Sequence, residues 1–117
     1  MVRHEDVTRD PKTRRIQELN DRLRKTGLGG KYVLTRAVTV QAAGELPELL
    51  RLIREFDDFR PGNDPWGEHD FGEVVLNGER FFWKIDAYDV NLEFGSPDPA
   101  DETATCRVIT IMTAMDL

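Results

Sequence analysis

The dipeptide Asn77-Gly78 lies between two runs of alternating apolar and polar residues, and it restricts the fold more than any other feature of the sequence. Asn-Gly favours a two-residue hairpin turn, because both central residues of that turn adopt a positive φ. The sequence therefore predicts an antiparallel hairpin whose register follows by counting outward from the turn. The predicted cross-strand pairs are Leu76 with Glu79, Val74 with Phe81, and Gly72 with Trp83.

The two faces of this hairpin differ in polarity, because successive side chains of a strand point to opposite sides of the sheet. One face is apolar and is predicted to cover the core. Its residues are Val74, Leu76, Phe81, Trp83 and Ile85. The other face carries Phe71, Glu73, Val75, Arg80, Phe82 and Lys84, of which Glu73 and Lys84 are close enough to pair.

A first helix is predicted to begin at Asp10-Pro11 and to end at Gly27. Asp is a favourable N-cap, Pro suits the first helical position, and Gly suits the position after the last turn. The apolar stripe of this helix is thin and consists of Ile16, Leu19 and Leu23. Such a stripe predicts a peripheral helix that packs on its own domain or against a second copy in a homodimer.

A second helix is predicted from about residues 44–46 to near Asp58. Its apolar residues recur at the i, i+3, i+4, i+7 spacing of a helix that faces a core. They are Leu46, Leu49, Leu50, Ile53 and Phe56. Pro61-Gly62 then begins a polar loop that covers residues 59–70.

Three further strands are predicted. Residues 31–40 are rich in β-branched side chains, residues 91–94 form a short candidate, and residues 105–113 are a nearly continuous apolar run. The order of elements predicts an α+β fold, with an antiparallel sheet of about four strands, a core-packed helix and a peripheral N-terminal helix. Residues 1–9 are predicted to be a flexible N-terminus and residues 10–117 a single domain.

The cellular location is inferred from the absence of membrane-spanning and signal segments in the sequence and from its single cysteine. No apolar run approaches the length of about 20 residues that a membrane helix needs, and the first residues have no apolar signal region. Cys106 is the single cysteine, so no intramolecular disulfide can form. We therefore expect a cytoplasmic protein with no membrane partner.

The net charge of −6 is unevenly distributed. Residues 1–31 carry nine Lys/Arg against five Asp/Glu, a local charge of +4, whereas residues 32–117 carry seven against seventeen, or −10. Within residues 56–105, three cationic residues stand against thirteen carboxylates. The phosphate backbone would repel such a body, so direct nucleic-acid binding is not expected.

Three features of the sequence bear on catalysis and on phosphate or metal binding. The glycine-rich segment 27–31 has the wrong spacing for a phosphate loop, and the spacing of Glu68-His69-Asp70 matches neither a calcium loop nor a zinc-binding helix. Cys106 lies within a predicted strand and is interpreted as a small buried hydrophobe, although a spatial pair with His69 stays open. We therefore predict no catalytic residue, no metal site and no cofactor.

The remaining signal is the group of carboxylates in and around the polar loop 59–70 and a second acidic loop, residues 95–103, together with two aromatic residues that could anchor a partner. We expect these residues to gather at one end of the sheet and to contact a basic protein surface. They are Asp57, Asp58, Asp64, Trp66, Glu68, Asp70, Asp86, Tyr88, Asp89, Glu93, Asp98 and Asp101.

Four segments carry a resemblance to a known family. They are FDDFRPGNDPWGEHDFG (56–72), FFWKIDAYD (81–89), LEFGSPDPAD (92–101) and RVITIM (107–112). Over residues 15–115 the chain resembles a family of small alphaproteobacterial proteins, a domain of unknown function met on plasmids and prophages. The resemblance implies a context of mobile genetic elements, and it transfers no catalytic residue because the family has no established activity.

Three functional hypotheses follow. The leading one is an acidic, non-enzymatic protein-binding module, in the context of mobile elements an inhibitor of a host defence complex of the anti-CRISPR or anti-restriction type, which occupies a basic nucleic-acid-binding surface. The alternatives are a small enzyme that uses His69 and nearby carboxylates such as Glu68 and Asp86, with or without a metal, and a generic interaction domain.

Overall fold

The computed structural model describes residues 10–117, so the predicted flexible segment 1–9 lies outside the described residues. Three α-helices and four strands occur in the described chain. In chain order they are α1 (Pro11–Thr26), β1 (Lys31–Leu34), α2 (Arg36–Gln41), α3 (Leu46–Arg54), β2 (Phe71–Leu76), β3 (Glu79–Tyr88) and β4 (Cys106–Thr113), with 3-10 turns at Glu102–Ala104 and Ala114–Asp116.

The sheet has the strand order β1-β4-β3-β2. The hairpin β2–β3 turns at Asn77-Gly78, and the three predicted cross-strand pairs are all observed. β3 and β4 are also antiparallel, but β1 runs parallel to β4, with Lys31 opposite Val108. The α+β class is thus confirmed, whereas the sheet is mixed rather than wholly antiparallel.

The segment predicted as one long strand, residues 31–40, is divided between a strand and a helix. β1 ends at Leu34, and the Oγ1 of Thr35 then accepts a 3.4 Å hydrogen bond from the backbone N–H of Val38, which caps α2. The helix buries Val38 in the core and leaves Val40 exposed, whereas a strand over residues 31–40 would place both side chains on one face. Burial of Val38 in the core outweighs the β-propensity of this segment.

The core lies between one face of the sheet and the three helices. Trp83 is fully buried and makes edge-to-face contact with Phe56, at 5.6 Å between ring centroids. Gly72 stands opposite Trp83, and a Cβ at Gly72 would lie 2.5 Å from the indole Nε1. The predicted core face of the hairpin is confirmed, and Gly72 is the residue that leaves room for the large ring.

Helix α1 lies at the periphery, as predicted, and buries its apolar stripe against its own domain. The buried side chain of Arg24 extends from this helix to the end of α3. Its Nη1 donates hydrogen bonds of 2.9, 3.1 and 2.9 Å to the carbonyl oxygens of Ile53, Arg54 and Phe56. A cation at a helix C-terminus satisfies carbonyls that have no partner within the helix. The stripe proposed for a homodimer is therefore engaged within the chain.

Three local predictions need correction. α3 ends at Arg54 rather than near Asp58, because Arg24 binds the carbonyls that a further turn would use. Residues 91–94 form a turn and not a strand. On the solvent face of the hairpin, Glu73 pairs with Arg80 at 2.7 Å and Lys84 with Asp86 at 2.9 Å, so the expected Glu73–Lys84 pair does not form.

Candidate functional site

The two acidic loops leave the sheet at the same end. Loop 57–70 leads into the first residue of β2, Phe71, which lies opposite Lys84 near the end of β3. The second acidic segment, residues 89–105, connects the end of β3 to the start of β4. Because β2 and β3 are antiparallel, both segments meet the sheet at this end. The expectation that the loops gather at one end is consistent with this topology.

Helix α1 holds both loops. The amide nitrogens of Gln17 and Asn20 donate hydrogen bonds of 2.9 Å to the carbonyl oxygens of Gly67 and Glu68, respectively. Nearer its N-terminus, Lys12 forms an ion pair of 3.2 Å with Asp98. The basic helix therefore lies across the acidic loops and neutralises part of their charge.

The twelve residues predicted to bind a partner differ widely in exposure. Asp64 is only 1% exposed, so its side chain does not reach the surface in this conformation. Six are half-buried, namely Glu68, Asp70, Asp86, Tyr88, Asp89 and Asp98, and five are exposed, namely Asp57, Asp58, Trp66, Glu93 and Asp101.

Many of these carboxylates have local structural partners. Asp58 pairs with Arg60 at 3.0 Å, and Asp101 accepts a 2.9 Å hydrogen bond from the N–H of Thr103 to cap a 3-10 turn. Exposed ion pairs of this kind add little to stability, but they reduce the charge that is available to a partner. The acidic surface is therefore weaker than the count of carboxylates indicated.

His69 is enclosed by acidic and aromatic groups. Its Nδ1 lies 2.9 Å from Oδ1 of Asp21, and its Nε2 lies 3.8 Å from Oδ2 of Asp64. The ring stacks on Phe59 at 3.7 Å between centroids, and the backbone has a φ of 54°. Both ring nitrogens thus face carboxylates, and one of these carboxylates, that of Asp21, belongs to α1. This environment fits a residue that orders the loop.

The carboxylates next to His69 repel one another. Burial raises the pKa of Glu68, and the nearby charges of Asp70 and Asp64 raise it further. Burial also raises the pKa of Asp70, again with Asp64 as a neighbour. Perturbed carboxylates mark candidate functional sites. Among residues 10–117, however, no group of three His, Cys, Asp or Glu side chains is arranged to hold a metal ion.

Residues 91–94, predicted to be a strand, belong to a loop whose exposed apolar side chains are typical of an interaction site. Residues 89–95 expose three apolar side chains, Val90 at 63%, Leu92 at 46% and Phe94 at 72%. Exposed apolar residues that lie close together mark interaction surfaces. The sequence shows the pattern of Val90, Leu92 and Phe94, but its alternation predicts a short strand over residues 91–94 rather than an exposed loop.

The conformation of this loop is held by Asp89. Its Oδ1 accepts hydrogen bonds of 3.1 and 3.0 Å from the backbone N–H groups of Asn91 and Glu93. Its own N–H donates a 2.8 Å hydrogen bond to the carbonyl oxygen of Phe94, which closes the loop. Leu92 has a φ of 58°, a left-handed conformation that is costly for a non-glycine residue. The loop is therefore ordered by its own hydrogen bonds while its apolar side chains face solvent.

Trp66 is a second exposed aromatic residue at this end of the molecule. It lies between Pro65 and Gly67 in loop 57–70, and 71% of it is exposed. A tryptophan in this loop could either plug the edge of the core or anchor a partner, and the observed exposure places Trp66 at the surface. Cys106, expected to be buried, is half-buried at the start of β4, where it lies opposite Tyr88.

A family described as a protein of unknown function (DUF3768) matches residues 34–116. The chain belongs to this family. The DUF3768 match includes both acidic loops and the exposed loop 89–95, whereas α1 precedes it. Comparisons with curated proteins and with solved structures each return no match. No helix of residues 10–117 has the length and apolar character needed to cross a membrane.

Proposed function

We propose that this protein is a non-enzymatic protein-binding module and that loop 89–95 is the centre of its interface. The observation that carries the proposal is the combination of three exposed apolar side chains with a backbone ordered by Asp89. Interfaces take most of their binding energy from a few apolar anchors that enter pockets on the partner. Phe94 and Leu92 are the anchors that we assign.

The strain at Leu92 supports this assignment. A glycine would adopt a φ of 58° without the steric cost that a leucine bears. Leu92 is 46% exposed and is not part of the core cluster, so its left-handed conformation presents an apolar side chain to solvent. Because the loop is ordered before binding, association costs less conformational entropy than ordering a mobile loop would.

The charges around the loop define the partner. Glu93 is exposed within the loop, Asp89 is half-buried at its first position, and Asp86, which is half-buried and paired with Lys84, precedes it. Together with the net charge of −6, these carboxylates attract a partner with a basic rim and speed its association at low salt. We propose an apolar pocket bordered by Lys and Arg on the partner. A nucleic-acid-binding surface of a host defence complex is the finer hypothesis, and the acidic charge is what supports it.

The enzyme hypothesis receives less support from the same geometry. A catalytic histidine needs a ring nitrogen within hydrogen-bond reach of a substrate. In His69 one nitrogen contacts Asp21 and the other faces the buried Asp64, while Phe59 covers one side of the ring. These contacts favour a structural role for His69 over general acid–base chemistry.

The test is affinity capture with matched variants. Tagged protein is incubated with lysate from bacteria that carry CRISPR and restriction systems, and each captured protein is then purified and titrated calorimetrically against three proteins. These are the unaltered chain, Phe94→Ala, and Val40→Ala as a control that truncates an exposed apolar residue on α2. We expect Phe94→Ala to weaken binding roughly 30-fold, as for an interface hot spot of about 2 kcal/mol, and Val40→Ala to leave it unchanged.

Two further measurements separate the parts of the proposal. Leu92→Gly is expected to keep the stability of the domain and to weaken binding, because it relieves strain but removes an anchor. Raising the salt concentration is expected to slow association if the partner is basic. A captured complex whose affinity is equal for Phe94→Ala and Val40→Ala would reject loop 89–95 as the interface. Binding that does not compete with nucleic acid would reject the defence-complex hypothesis alone.

A further inference from the structure

The outer edge of β2 is a second interaction surface. β2 is the last strand in the order β1-β4-β3-β2, so only one of its two edges is paired, with β3. We infer that the free edge binds an extended, basic segment of a partner protein as an additional β-strand. Recognition of this kind takes its affinity from main-chain hydrogen bonds. The inference is independent of loop 89–95 and of the interface proposed there.

One contact at the start of the hairpin fixes which backbone groups of β2 face β3. The N–H of Ile85 donates a 2.8 Å hydrogen bond to the carbonyl oxygen of Asp70, the residue before β2. Hydrogen-bonded and non-hydrogen-bonded pairs alternate along an antiparallel ladder. Gly72, Val74 and Leu76 therefore direct their N–H and C=O groups toward β3.

The alternate residues of β2 direct their backbone groups to the outer edge. They are Phe71, Glu73 and Val75. Within residues 10–117, none of their N–H or C=O groups takes part in a backbone hydrogen bond outside the hairpin ladder. All three residues are exposed, Val75 to 56%. The edge thus offers a row of main-chain donors and acceptors to another strand.

β2 lacks the features that usually prevent association through a strand edge. It contains no proline and no lysine, and its pairing with β3 is continuous from Phe71 to Leu76 without a bulge. Its single charged residue, Glu73, is paired with Arg80 at 2.7 Å. Phe71 and Val75, on either side of Glu73 along the same face, are apolar and exposed. An edge without such protection is suited to strand addition.

A cavity of about 280 Å³ borders the first half of this edge. It is lined by residues 71–73 and by Phe56, Asp58, Arg60 and Asn63, which precede β2 in the chain. Asn63 orders this lining, because its Oδ1 accepts a 2.7 Å hydrogen bond from the N–H of Arg60 and its Nδ2 donates one of 2.7 Å to the carbonyl oxygen of Asp58. An extended chain beside β2 therefore meets a preformed space for its side chains.

The local charge decides the class of partner. Residues 56–80 carry seven carboxylates against two arginines, a charge of −5. Pairing of β2 with the β2 of a second copy would bring two such segments together, and like charges on adjacent strands are destabilising. A segment with Lys or Arg is attracted instead, and the apolar stems of these side chains can cover Phe71 and Val75. The charge thus favours a basic segment over a second copy.

The probe is a labelled octapeptide of alternating lysine and valine, with binding measured by fluorescence anisotropy. Amide hydrogen exchange of the protein is followed by NMR. In the free protein we expect the N–H groups of Phe71, Glu73 and Val75 to exchange rapidly, and those of Gly72 and Val74 slowly. Saturating peptide is expected to slow exchange of the first group. The corresponding glutamate–valine peptide is expected not to bind.

A version of the lysine–valine peptide with every amide N-methylated tests the main-chain contribution. It keeps the charges and side chains but donates no main-chain hydrogen bond, so we expect it to bind at least about tenfold more weakly. This comparison leaves the protein unaltered, and its outcome does not depend on the folding of a variant.

Val75→Pro and Val75→Thr are the matched variants. Proline removes the outward N–H and leaves the β2–β3 ladder in place, whereas threonine keeps both the N–H and the strand propensity. We expect Val75→Pro to weaken peptide binding roughly tenfold and Val75→Thr less than about threefold, with circular dichroism as the check on folding. Phe94→Ala is expected to leave peptide binding unchanged, which separates this edge from loop 89–95.

Three results would overturn the inference. The first is a lysine–valine peptide that does not saturate or that binds no better than its N-methylated or glutamate versions. The second is binding that leaves the exchange of Phe71, Glu73 and Val75 unchanged. The third is slow exchange of these three amides in the free protein together with a dimer in analytical ultracentrifugation, which would assign the edge to a second copy.

Discussion

Nη1 of Arg24 donates a 2.9 Å hydrogen bond to the backbone carbonyl oxygen of Ile53, and this contact joins α1 to the end of α3. The same guanidinium lies over Trp83 and Phe59, at 5.1 and 5.4 Å from the ring centroids, and within 3.2 Å of Asp21. Asp21 in turn contacts His69. One buried cation therefore connects two helices, the core and the loop that carries Trp66.

Arg24→Met is expected to destabilise the domain by about 3 kcal/mol. The methionine keeps most of the apolar stem, but the carbonyls of Ile53, Arg54 and Phe56 lose a charged donor in a buried position. Urea denaturation followed by circular dichroism measures the loss. Lys25→Met, at the exposed neighbouring position, is the control and should change stability by less than about 0.5 kcal/mol. Equal effects of the two substitutions would contradict the role of Arg24.

Gly72→Ala is expected to cost about 2 kcal/mol, because the added Cβ would overlap the indole of the fully buried Trp83. Gly62→Ala is the matched control, since a Cβ at Gly62 meets nothing within 4 Å. Thermal unfolding is measured for both variants. The fluorescence of Trp83, isolated in a Trp66→Phe background, should change only for Gly72→Ala. An unchanged spectrum and stability would show that the sheet and ring adjust freely.

Glu68→Gln is expected to stabilise the protein at neutral pH. Since burial and the neighbouring Asp70 and Asp64 raise the pKa of Glu68 in the folded state, ionising it costs stability as the pH rises above its usual value of 4.5. The gain from Gln is therefore largest above the folded-state pKa and shrinks as the pH falls toward 4.5.

The control for this pH dependence is Glu73→Gln, where the sign is opposite. The hydrogen bond from Arg80 lowers the pKa of Glu73, so its contribution to stability is present above 4.5 and is lost as the pH falls through the folded-state pKa. Urea midpoints between pH 3.5 and 7.5 are measured for both variants. A loss of stability for Glu68→Gln at pH 7 would show that Glu68 makes a favourable contact as a carboxylate.

Asp89→Ala is expected to cost about 1 kcal/mol and to release loop 89–95, because the N–H groups of Asn91 and Glu93 lose their acceptor. Asp89→Asn keeps an acceptor oxygen and should retain the loop. Amide hydrogen exchange at Asn91 and Glu93 distinguishes the two variants. If the proposed interface is correct, only Asp89→Ala should also weaken partner binding. Similar exchange in both variants would mean that other contacts order the loop.

The parts of the fold that could be predicted rest on short-range rules. The Asn77-Gly78 turn, the register around Trp83, and the caps of α1 at Asp10 and Gly27 were all predicted correctly, because each depends on residues that are neighbours in sequence. The candidate site was predicted only in outline. Its acidic composition was evident, but the division of carboxylates between caps, ion pairs and free surface depends on partners that are distant in sequence.

The prediction failed where tertiary contacts decide between local alternatives. The β-branched residues after Thr35 favour a strand, yet they form α2 because this conformation buries Val38 in the core. Residues 91–94 alternate like a strand, yet Asp89 binds two of their N–H groups and turns the chain. In both segments, the side-chain oxygen of a residue just before the segment accepts backbone hydrogen bonds that a strand would instead donate to the sheet. These oxygens are Oγ1 of Thr35 and Oδ1 of Asp89.

The hairpin, both ends of α1 and the excess of negative charge could be read from the sequence, because they follow from the preferences of adjacent residues and from a count of charges. The parallel pairing of β1 with β4, the capping of α3 by Arg24, and the contact of Arg22 with Glu102 beside Gly29 depend on the folded chain. Those contacts join residues far apart in the chain. Their energies depend on distance and burial, which no local pattern of residues specifies.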